Sequence, residues 1–235
     1  MEEIINPEIA AIVNKVKEAA EEARQNQPTG NMSQIPSDVI EDNWRTDLEK
    51  RGIYRRYWDC TFEELERKGI PLQVQSQYGQ VKQYIANMQE NWDGGIGMIL
   101  KGPVGTMKTS MAVAALIEHL KAGHSGLFVP MVSMLDNIFT MKARNKDEWL
   151  AYEDRIRNTG LLVLDDLGAE YHQEWVLSKV DAIISERYNR MKPIIITTNM
   201  NNEELKGKYA ERVYDRLKNT SKVINFSGRS LRESA

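Results

Sequence analysis

The chain has 235 residues, of which 41% are hydrophobic and 28% charged, and its formal net charge is −3. This length can hold one full α/β domain plus a smaller segment, and the composition is typical of soluble globular proteins. No apolar run approaches bilayer length, the acidic N-terminus lacks the order of a signal peptide, and the single cysteine, Cys60, excludes a disulfide framework or a cysteine-rich zinc site.

Histidines and charge are unevenly distributed. There are only three histidines, His119, His124 and His172, and the third is far in sequence from the other two, which disfavours a structural metal site. The first 90 residues carry a net charge of about −5 and the remainder about +2, so any nucleic-acid contact is expected in the rear of the chain. A reducing cytoplasm is the expected location.

Two helices are predicted at the front of the chain. The first covers about residues 6–24, starting at a capping asparagine and a proline and carrying an apolar stripe. Residues 25–36 are polar and contain two prolines and a glycine, which indicates a linker. The second helix covers about residues 37–52. Residues 1–52 are therefore predicted to form a small helical module, whose stripe packs within its own domain or faces a partner.

The rest of the chain, residues 53–235, is predicted to alternate helices and parallel strands. Thr61 and Glu64 predict a capping box for a short helix. Apolar runs predict strands near residues 96–100, 127–129, 161–164, 194–197 and 223–226. Helical patterns are predicted near residues 73–91, 133–144, 147–157, 173–191 and 210–218, with a further helix after the first strand. This order is typical of an α/β fold with a parallel sheet flanked by helices.

A glycine-rich turn lies between the first strand and its helix, within IGMILKGPVGTMKTSMAVAAL. The pattern predicts a phosphate-binding loop, in which Lys108 reaches the β- and γ-phosphates and the Thr109 hydroxyl holds Mg²⁺. The alternative is an ordinary glycine turn before a helix. The predicted nucleotide-binding residues are Gly102, Pro103, Val104, Gly105, Thr106, Met107, Lys108, Thr109 and Ser110.

One loop position departs from the pattern, because Met107 stands where a glycine usually precedes the lysine. If the position requires a positive φ, methionine adds strain; otherwise it only adds bulk beside the phosphates. Nucleotide binding is therefore expected more firmly than tight binding.

Polar residues follow two later strands. In LLVLDDLG, Asp165 is predicted to bind Mg²⁺ and Asp166 to orient or deprotonate the attacking water, although paired acids after a strand also occur in solvated turns. In PIIITTN, Asn199 is predicted to contact the γ-phosphate or the water. The alternative for Asn199 is a helix cap.

Arginines near the end of the chain are further candidates. In ERVYDRLKN, Arg212 and Arg216 share a helix face, and either could stabilise a transferring phosphate from a neighbouring subunit. The alternative is two surface arginines paired with Glu211 or Asp215. In SGRSLRES, Arg229 or Arg232 could contact the phosphates of its own subunit, and spacing does not choose between them.

The order GPVGTMKT, LLVLDDLG, ITTN, ERVYDRL and FSGRSLR resembles the AAA+ ATPases of the DnaC/DnaI helicase-loader group, with IstB transposition ATPases as relatives. The segment RGIYRRYWDCTFEEL is similar to the stretch before the core in that group. This resemblance, over about residues 51–232, implies an AAA+ P-loop fold with ATP/ADP and Mg²⁺ as ligands. Slow hydrolysis is expected, because Asp166 stands where many AAA+ proteins have the longer glutamate.

The resemblance also implies a role for each motif residue. Lys108 and Thr109 correspond to Walker A, Asp165 and Asp166 to Walker B, and Asn199 to sensor 1. Two arginines complete the set: Arg216 as the arginine finger and Arg232, preferred over Arg229, as sensor 2.

Partners follow from the same resemblance. A loader binds the hexameric replicative helicase through its front module, holds single-stranded DNA and self-associates into a ring or spiral. With one cysteine, the chain is more similar to DnaC than to DnaI, whose front domain binds zinc. Lys142, Arg144 and Lys146, near Phe139, are the predicted single-strand contacts, unless they only form a solvated helix face. Two alternatives stay open: an IstB-like helper that binds duplex DNA and a transposase, and a nucleotide-responsive adaptor with little hydrolysis.

Overall fold

The chain divides into two compact units, Met1–Asn43 and Trp44–Ala235. The computed structural model describes residues 37–169 and 174–232. The helix predicted over residues 6–24 and the linker after it lie outside the described residues. The functional boundary placed after residue 52 stays a prediction.

The described helices are α1 (Ser37–Lys50), α2 (Phe62–Lys68), α3 (Gln75–Ala86), α4 (Met88–Asp93), α5 (Lys108–Lys121), α6 (Met131–Arg144), α7 (Lys146–Asn158), α8 (Glu174–Asn189), α9 (Asn202–Lys208) and α10 (Glu211–Asn219). The strands are β1 (Gly97–Lys101), β2 (Gly126–Pro130), β3 (Leu161–Asp165), β4 (Ile194–Thr198) and β5 (Ser221–Asn225). Short 3₁₀ turns cover Arg55–Tyr57 and Leu72–Val74. No helix among these is long and apolar enough to cross a membrane.

The five strands form one parallel sheet in the order β2-β3-β4-β1-β5. The connection from β1 to β2 runs in one direction along the sheet, and the three later connections run in the other. Because crossovers between parallel strands are right-handed, α5 lies on one face and the later helices on the opposite face. The connections of the adjacent strands β1 and β4 diverge, and ligands bind open α/β sheets outside the carboxyl ends of such strands.

Strand residues alternate between two apolar layers. Met98 and Leu100 of β1 belong to the cluster that includes α3 and α5, whereas Ile99 belongs to the cluster under α6 to α10. β3 and β4 are buried along their whole length, as expected for strands covered on both faces. The predicted α/β fold, with a parallel sheet flanked by helices, is confirmed.

The segment before the core covers the free edge of β2. The Phe128 N–H donates to the Arg51 carbonyl at 2.9 Å. Gly52 follows with φ +80°, and a Cβ there would lie 2.3 Å from the Phe128 carbonyl oxygen. Tyr54 then hydrogen-bonds Ser133 of α6 at 2.7 Å. An edge strand with unpaired backbone groups is thereby protected.

Two local predictions need correction. The helix predicted over residues 73–91 is broken at Asn87 into α3 and α4, and the Asn91 amide donates to the freed Tyr84 carbonyl at 2.8 Å. The Thr61 cap is present, with the Glu64 N–H donating to its hydroxyl at 3.2 Å. The reciprocal half of the capping box is absent from this described helix, because the Glu64 carboxylate pairs with Arg67 one turn later. Most other boundaries differ by one to three residues.

Candidate nucleotide-binding site

The loop between β1 and α5 lies at the carboxyl edge of the sheet, under the C-terminal segment of the described chain. Gly102 and Gly105 have φ values of +146° and +77°. A Cβ on Gly102 would lie 2.2 Å from the Phe226 carbonyl oxygen, and one on Gly105 would lie 2.1 Å from Ser230 Oγ. Both glycines are therefore required by backbone conformation and by the close approach of this segment.

Other loop residues shape the turn. Thr106 is buried and its hydroxyl donates to the Pro103 carbonyl at 2.8 Å, while Val104 is exposed at the tip. Ser110, in the first turn of α5, hydrogen-bonds the Cys60 thiol, whose pKa is raised by burial. The first backbone bond of α5 runs from Met111 to Met107, so the N–H groups of the first turn have no helical acceptor.

Met107 does require a positive φ. Its φ and ψ are 66° and 12°, in the left-handed region that a glycine adopts without strain. Its side chain packs against the cluster that contains α5. The substitution therefore adds strain to the loop backbone together with an apolar contact below it.

Lys108 is buried, and among the described residues none of its hydrogen-bond acceptors carries a negative charge. Its Nζ donates to the carbonyls of Gly102 and Pro103 at 2.7 and 2.6 Å and to Asn199 Oδ1 at 2.9 Å. Burial lowers the pKa of the ammonium, and the carboxylates after β3 act in the opposite direction. Three neutral oxygens hold a cation here, so an anionic ligand at this position would gain a strong interaction.

Asp165 and Thr109 form a pair of oxygen ligands beside the loop. The hydroxyls of Thr109 and Thr197 donate to Asp165 Oδ1 at 2.9 and 2.6 Å. Burial raises the pKa of the Asp165 carboxyl, and these two hydrogen bonds oppose the rise. A hydroxyl and a carboxylate are the hard oxygen ligands that Mg²⁺ prefers, so their chemistry fits the predicted ion.

Asp166 and Asn199 complete a polar chain. Asp166 is exposed, has φ +60°, and receives a hydrogen bond from Asn199 Nδ2 at 2.8 Å. Asn199 thus links Lys108 to Asp166 through the two ends of one amide. The cap alternative for Asn199 is wrong, because Asn201 caps α9 in a full capping box with Glu204.

Thr197 is a site residue that sequence reasoning missed. Its hydroxyl donates to Asp165 Oδ1 and accepts the Asp166 N–H at 2.9 Å, so it fixes both acids. The only signal in the sequence was a pair of threonines at the end of an apolar strand.

The segment after β5 brings Ser230 and Arg232 to the loop. The Leu231 N–H donates to the Gly105 carbonyl at 2.9 Å, and Gln73 Nε2 donates to the Arg229 carbonyl at 2.8 Å. The charge of Arg232 lowers the pKa of Lys108, although burial is the larger cause. This geometry is consistent with Arg232 as the cis arginine, which stays a prediction.

Arg212 and Arg216 are paired with neither Glu211 nor Asp215 in the described structure. Both contact Asp181 of α8: Arg212 through Nε at 2.8 Å and through Nη2, and Arg216 through Nη1 at 3.6 Å. Arg216 lies beside the amino ends of β1, β4 and β5. The phosphate loop is at the opposite end of β1, about 13 Å along the strand.

The DNA-binding prediction concerns α6 and α7. Lys146 is exposed at the start of α7, which Asn145 caps. The side chains of Lys142, Arg144 and Phe139 lie outside the described residues. The assignment of these residues to DNA stays a prediction.

Comparison with known proteins agrees with this geometry. The profile of the family described as IstB-like ATP-binding protein matches residues 86–235. The replicative helicase loader DnaC of Escherichia coli K12 is 27% identical over 177 residues, covering 73% of this chain and 68% of that protein. An ATP-binding protein of insertion sequence IS21 from Pseudomonas aeruginosa is 29% identical over 140 residues, covering 57% and 52%.

Solved structures support the fold. The crystal structure of the DnaC helicase loader superposes with a TM-score of 0.65 at 24% identity, covering 74% of this chain and 100% of that one. AMPPCP-bound DnaA from Aquifex aeolicus gives a TM-score of 0.60 at 19% identity, covering 76% and 53%. The resemblance to AAA+ proteins of the DnaC/DnaI group is thereby confirmed, and the chain belongs to the IstB-like ATP-binding protein family.

Proposed function

We propose that this protein is an ATP-hydrolysing loader of a hexameric replicative helicase, with Mg²⁺ as its metal. The observation that carries the ATPase part is the polar chain from Lys108 through Asn199 to Asp166, which joins a buried cation to an exposed carboxylate. The similarity to DnaC carries the choice of partner.

Each residue of this hydrogen-bonded series has a distinct role in the proposal. Lys108 exchanges its loop carbonyls for phosphate oxygens, because a charged acceptor forms a stronger hydrogen bond than a neutral one. Asp166 is exposed and accepts the proton of the attacking water, while Asn199 orients both groups. Bound Mg²⁺ would neutralise phosphate charge between Thr109 and Asp165.

Hydrolysis depends on assembly in this proposal. Arg216 is held at the amino edge of the sheet, whereas Lys108 lies at the carboxyl edge. A guanidinium in this position serves a neighbouring subunit, since it is separated from its own loop by the length of β1. A ring or spiral of subunits then brings each Arg216 to the next site.

The helicase is expected to contact residues 1–52, and single-stranded DNA the pair α6 and α7. Arg155 of α7 donates to the Lys50 carbonyl, and Tyr54 contacts Ser133 of α6. The end of α1 and the segment that follows it therefore contact both helices of the proposed DNA-binding pair, so the two partners would act on adjacent segments.

A transposition helper of IstB type is the second candidate. The IstB-like profile and the relative from insertion sequence IS21 favour it. In that case the partners would be duplex DNA and a transposase. A third possibility, a nucleotide-responsive adaptor with little hydrolysis, rests on the strained Met107 and on Asp166, whose side chain is shorter than the glutamate of many AAA+ proteins.

The first experiment tests nucleotide binding by fluorescence titration of a labelled ATP. Lys108→Ala is expected to weaken binding by at least about 100-fold, since one charge-assisted contact contributes about 1.5–3 kcal/mol and two phosphates lose it. Lys121→Ala, at the opposite end of α5, is the matched control and should leave binding unchanged. Equal affinity of the Lys108 variant and the wild type would refute the site.

The second experiment tests the partner by co-sedimentation with a hexameric replicative helicase, with ATP and with ADP. The full chain is compared with a version lacking residues 1–36, which keeps every described residue. Binding that disappears on truncation supports a loader whose front segment holds the helicase. Retained binding refutes that role for residues 1–36, and no binding in any state favours the transposition helper.

A further inference from the structure

The surroundings of Arg216 contain an acidic residue that the family motifs do not assign. Asp181 projects from the middle of α8, and its side chain is only 11% exposed. It lies between Arg212 and Arg216 on the neighbouring helix α10. A carboxylate buried to this degree requires compensation, which the two guanidinium groups provide.

The contacts of Asp181 differ between its two arginines. Arg212 binds Oδ2 through both Nε and Nη2, while Oδ1 accepts the Ser185 hydroxyl at 2.8 Å. Ser185 Oγ in turn accepts a hydrogen bond from Arg216 Nη1. Asp181 therefore sets the orientation of Ser185, and Ser185 anchors one nitrogen of Arg216.

Two nitrogens of the Arg216 guanidinium, Nη2 and Nε, are not used in this contact with Ser185. In the described part of the chain, its only hydrogen bond is the one through Nη1, so Nη2 and Nε keep their capacity for another acceptor. The guanidinium also lies over the Tyr188 ring, with its carbon 5.6 Å from the centroid. Arg212, with two nitrogens on Asp181, is far more occupied.

We propose that Asp181 is the positioning residue for Arg216, acting through Ser185 to hold the guanidinium ready for the phosphates of a neighbouring subunit. This proposal rests on the function proposed above. A long arginine side chain loses rotamer freedom when it contacts a ligand, and a side chain that is already fixed loses less. Asp181 also balances the positive charge of Arg216 while no phosphate is present.

The test mixes two kinds of full-length subunit, so that finger and site reside on different chains. Donor subunits carry Asp166→Asn, which spares ATP binding but prevents hydrolysis. Acceptor subunits carry Arg216→Ala, so they have an intact nucleotide site but no arginine finger. Each variant alone should hydrolyse ATP at least about tenfold more slowly than the wild type, and mixing should restore part of the rate.

Asp181→Asn is then added to one partner at a time. On the donor, it should lower the restored kcat several-fold while KM for ATP changes by less than about twofold. On the acceptor, which has no finger to position, it should have no effect. This second arrangement controls for folding, because the same substitution is present in the same assembly.

Two further variants narrow the interpretation. Ser185→Ala on the donor should reproduce the loss, since it removes the link between Asp181 and Arg216. Asp215→Asn on the donor removes the same charge from an exposed residue next to Arg216 in sequence, and should change nothing.

Three results would overturn the proposal: an unchanged rate with Asp181→Asn on the donor, a faster rate, or an equal loss on the acceptor. A failure of the underlying function looks different. In that case Arg216→Ala alone would hydrolyse ATP normally, and no complementation could be measured.

Discussion

Met107 and Asp166 both hold left-handed backbones without being glycine, and both border the predicted phosphate position. Such residues cost of order 1–3 kcal/mol each and persist where surrounding structure fixes them. The Thr197 hydroxyl fixes Asp166, and apolar packing fixes Met107. Strain at these two positions is therefore part of the architecture of the site.

The first prediction concerns Met107→Gly. Because apolar packing already fixes the left-handed conformation of Met107, its strain weakens folding and not the binding step. We expect the dissociation constant for ATP to change by less than about threefold. Met107→Ala keeps the strain and loses the packing, so it should unfold about 1 kcal/mol more easily than wild type.

Nucleotide titration and urea unfolding check these expectations. A gain in affinity of more than about tenfold with Met107→Gly would show that the methionine opposes nucleotide binding directly.

His119 provides the second prediction at this scale. It is buried against Trp92, its Nε2 donates to the Ser125 carbonyl at 2.9 Å, and burial lowers its pKa to about 4. The unfolded chain, with a histidine pKa near 6.5, takes up this proton first as pH falls. Stability from neutral His119 is thus complete above about pH 6.5 and is lost between there and about pH 4.

His119→Gln keeps a donor and removes the titration. Between about pH 7 and pH 5, the free energy of unfolding of the wild type should fall by about 2 kcal/mol more than that of the variant. Urea unfolding at both pH values measures the difference, and parallel pH profiles would contradict the assignment.

At the scale of elements, one side chain joins three of them. Arg187 of α8 is fully buried, and burial lowers its pKa to about 9. Its guanidinium donates to five carbonyls at the end of α7, before β3 and before β4: Ile156, Arg157, Thr159, Gly160 and Pro193. A single buried cation therefore satisfies carbonyls from three elements at the amino edge of the sheet.

Arg187→Met should leave these carbonyls without their donor and destabilise the protein by at least about 3 kcal/mol. Arg190→Met, one turn later and largely exposed, removes a surface pair with Glu186 and a hydrogen bond to the Asn158 side chain, and should cost less than about 1 kcal/mol. Urea unfolding of both variants gives the comparison. Similar costs would mean that the buried carbonyls find other donors.

At the scale of the whole molecule, the two halves of the proposed hydrolytic site are separated by the length of the strands. Lys108, Asp165 and Asn199 meet at the carboxyl edge, and Arg216 stays at the amino edge. A single subunit therefore lacks one group of the machinery proposed here. If the proposed function is correct, ATP hydrolysis requires the assembly of subunits.

The prediction at this scale is a dependence on protein concentration. The rate of ATP hydrolysis per wild-type subunit should rise with concentration as subunits assemble, whereas Arg216→Ala should bind ATP normally and show a low, flat rate. A phosphate-release assay over a range of concentrations measures both. A wild-type rate independent of concentration, in a protein shown to be monomeric, would contradict action between subunits.

The sequence by itself determined the fold class, the order of strands and motifs along the chain, and the loop that carries Lys108. These depend on local periodicity and on turns with fixed spacing. It also placed Asp165, Asp166 and Asn199 at strand ends, where a parallel sheet brings them together. Local pattern could not choose between two asparagines that precede α9. Asn199 was therefore weighed as its cap, whereas Asn201 caps the helix in the structure.

Only the tertiary structure decided the contacts between distant segments. The close approach of the tail to Gly102 and Gly105 depends on tertiary packing, and the roles of Thr197 and Asp181 depend on neighbouring strands and helices. The alternative weighed for the two arginines was a pairing with acids of their own helix, but both contact Asp181 of α8, since partner choice follows helix packing and not sequence distance. Such contacts join residues about 30 positions apart, where no local period can reveal them.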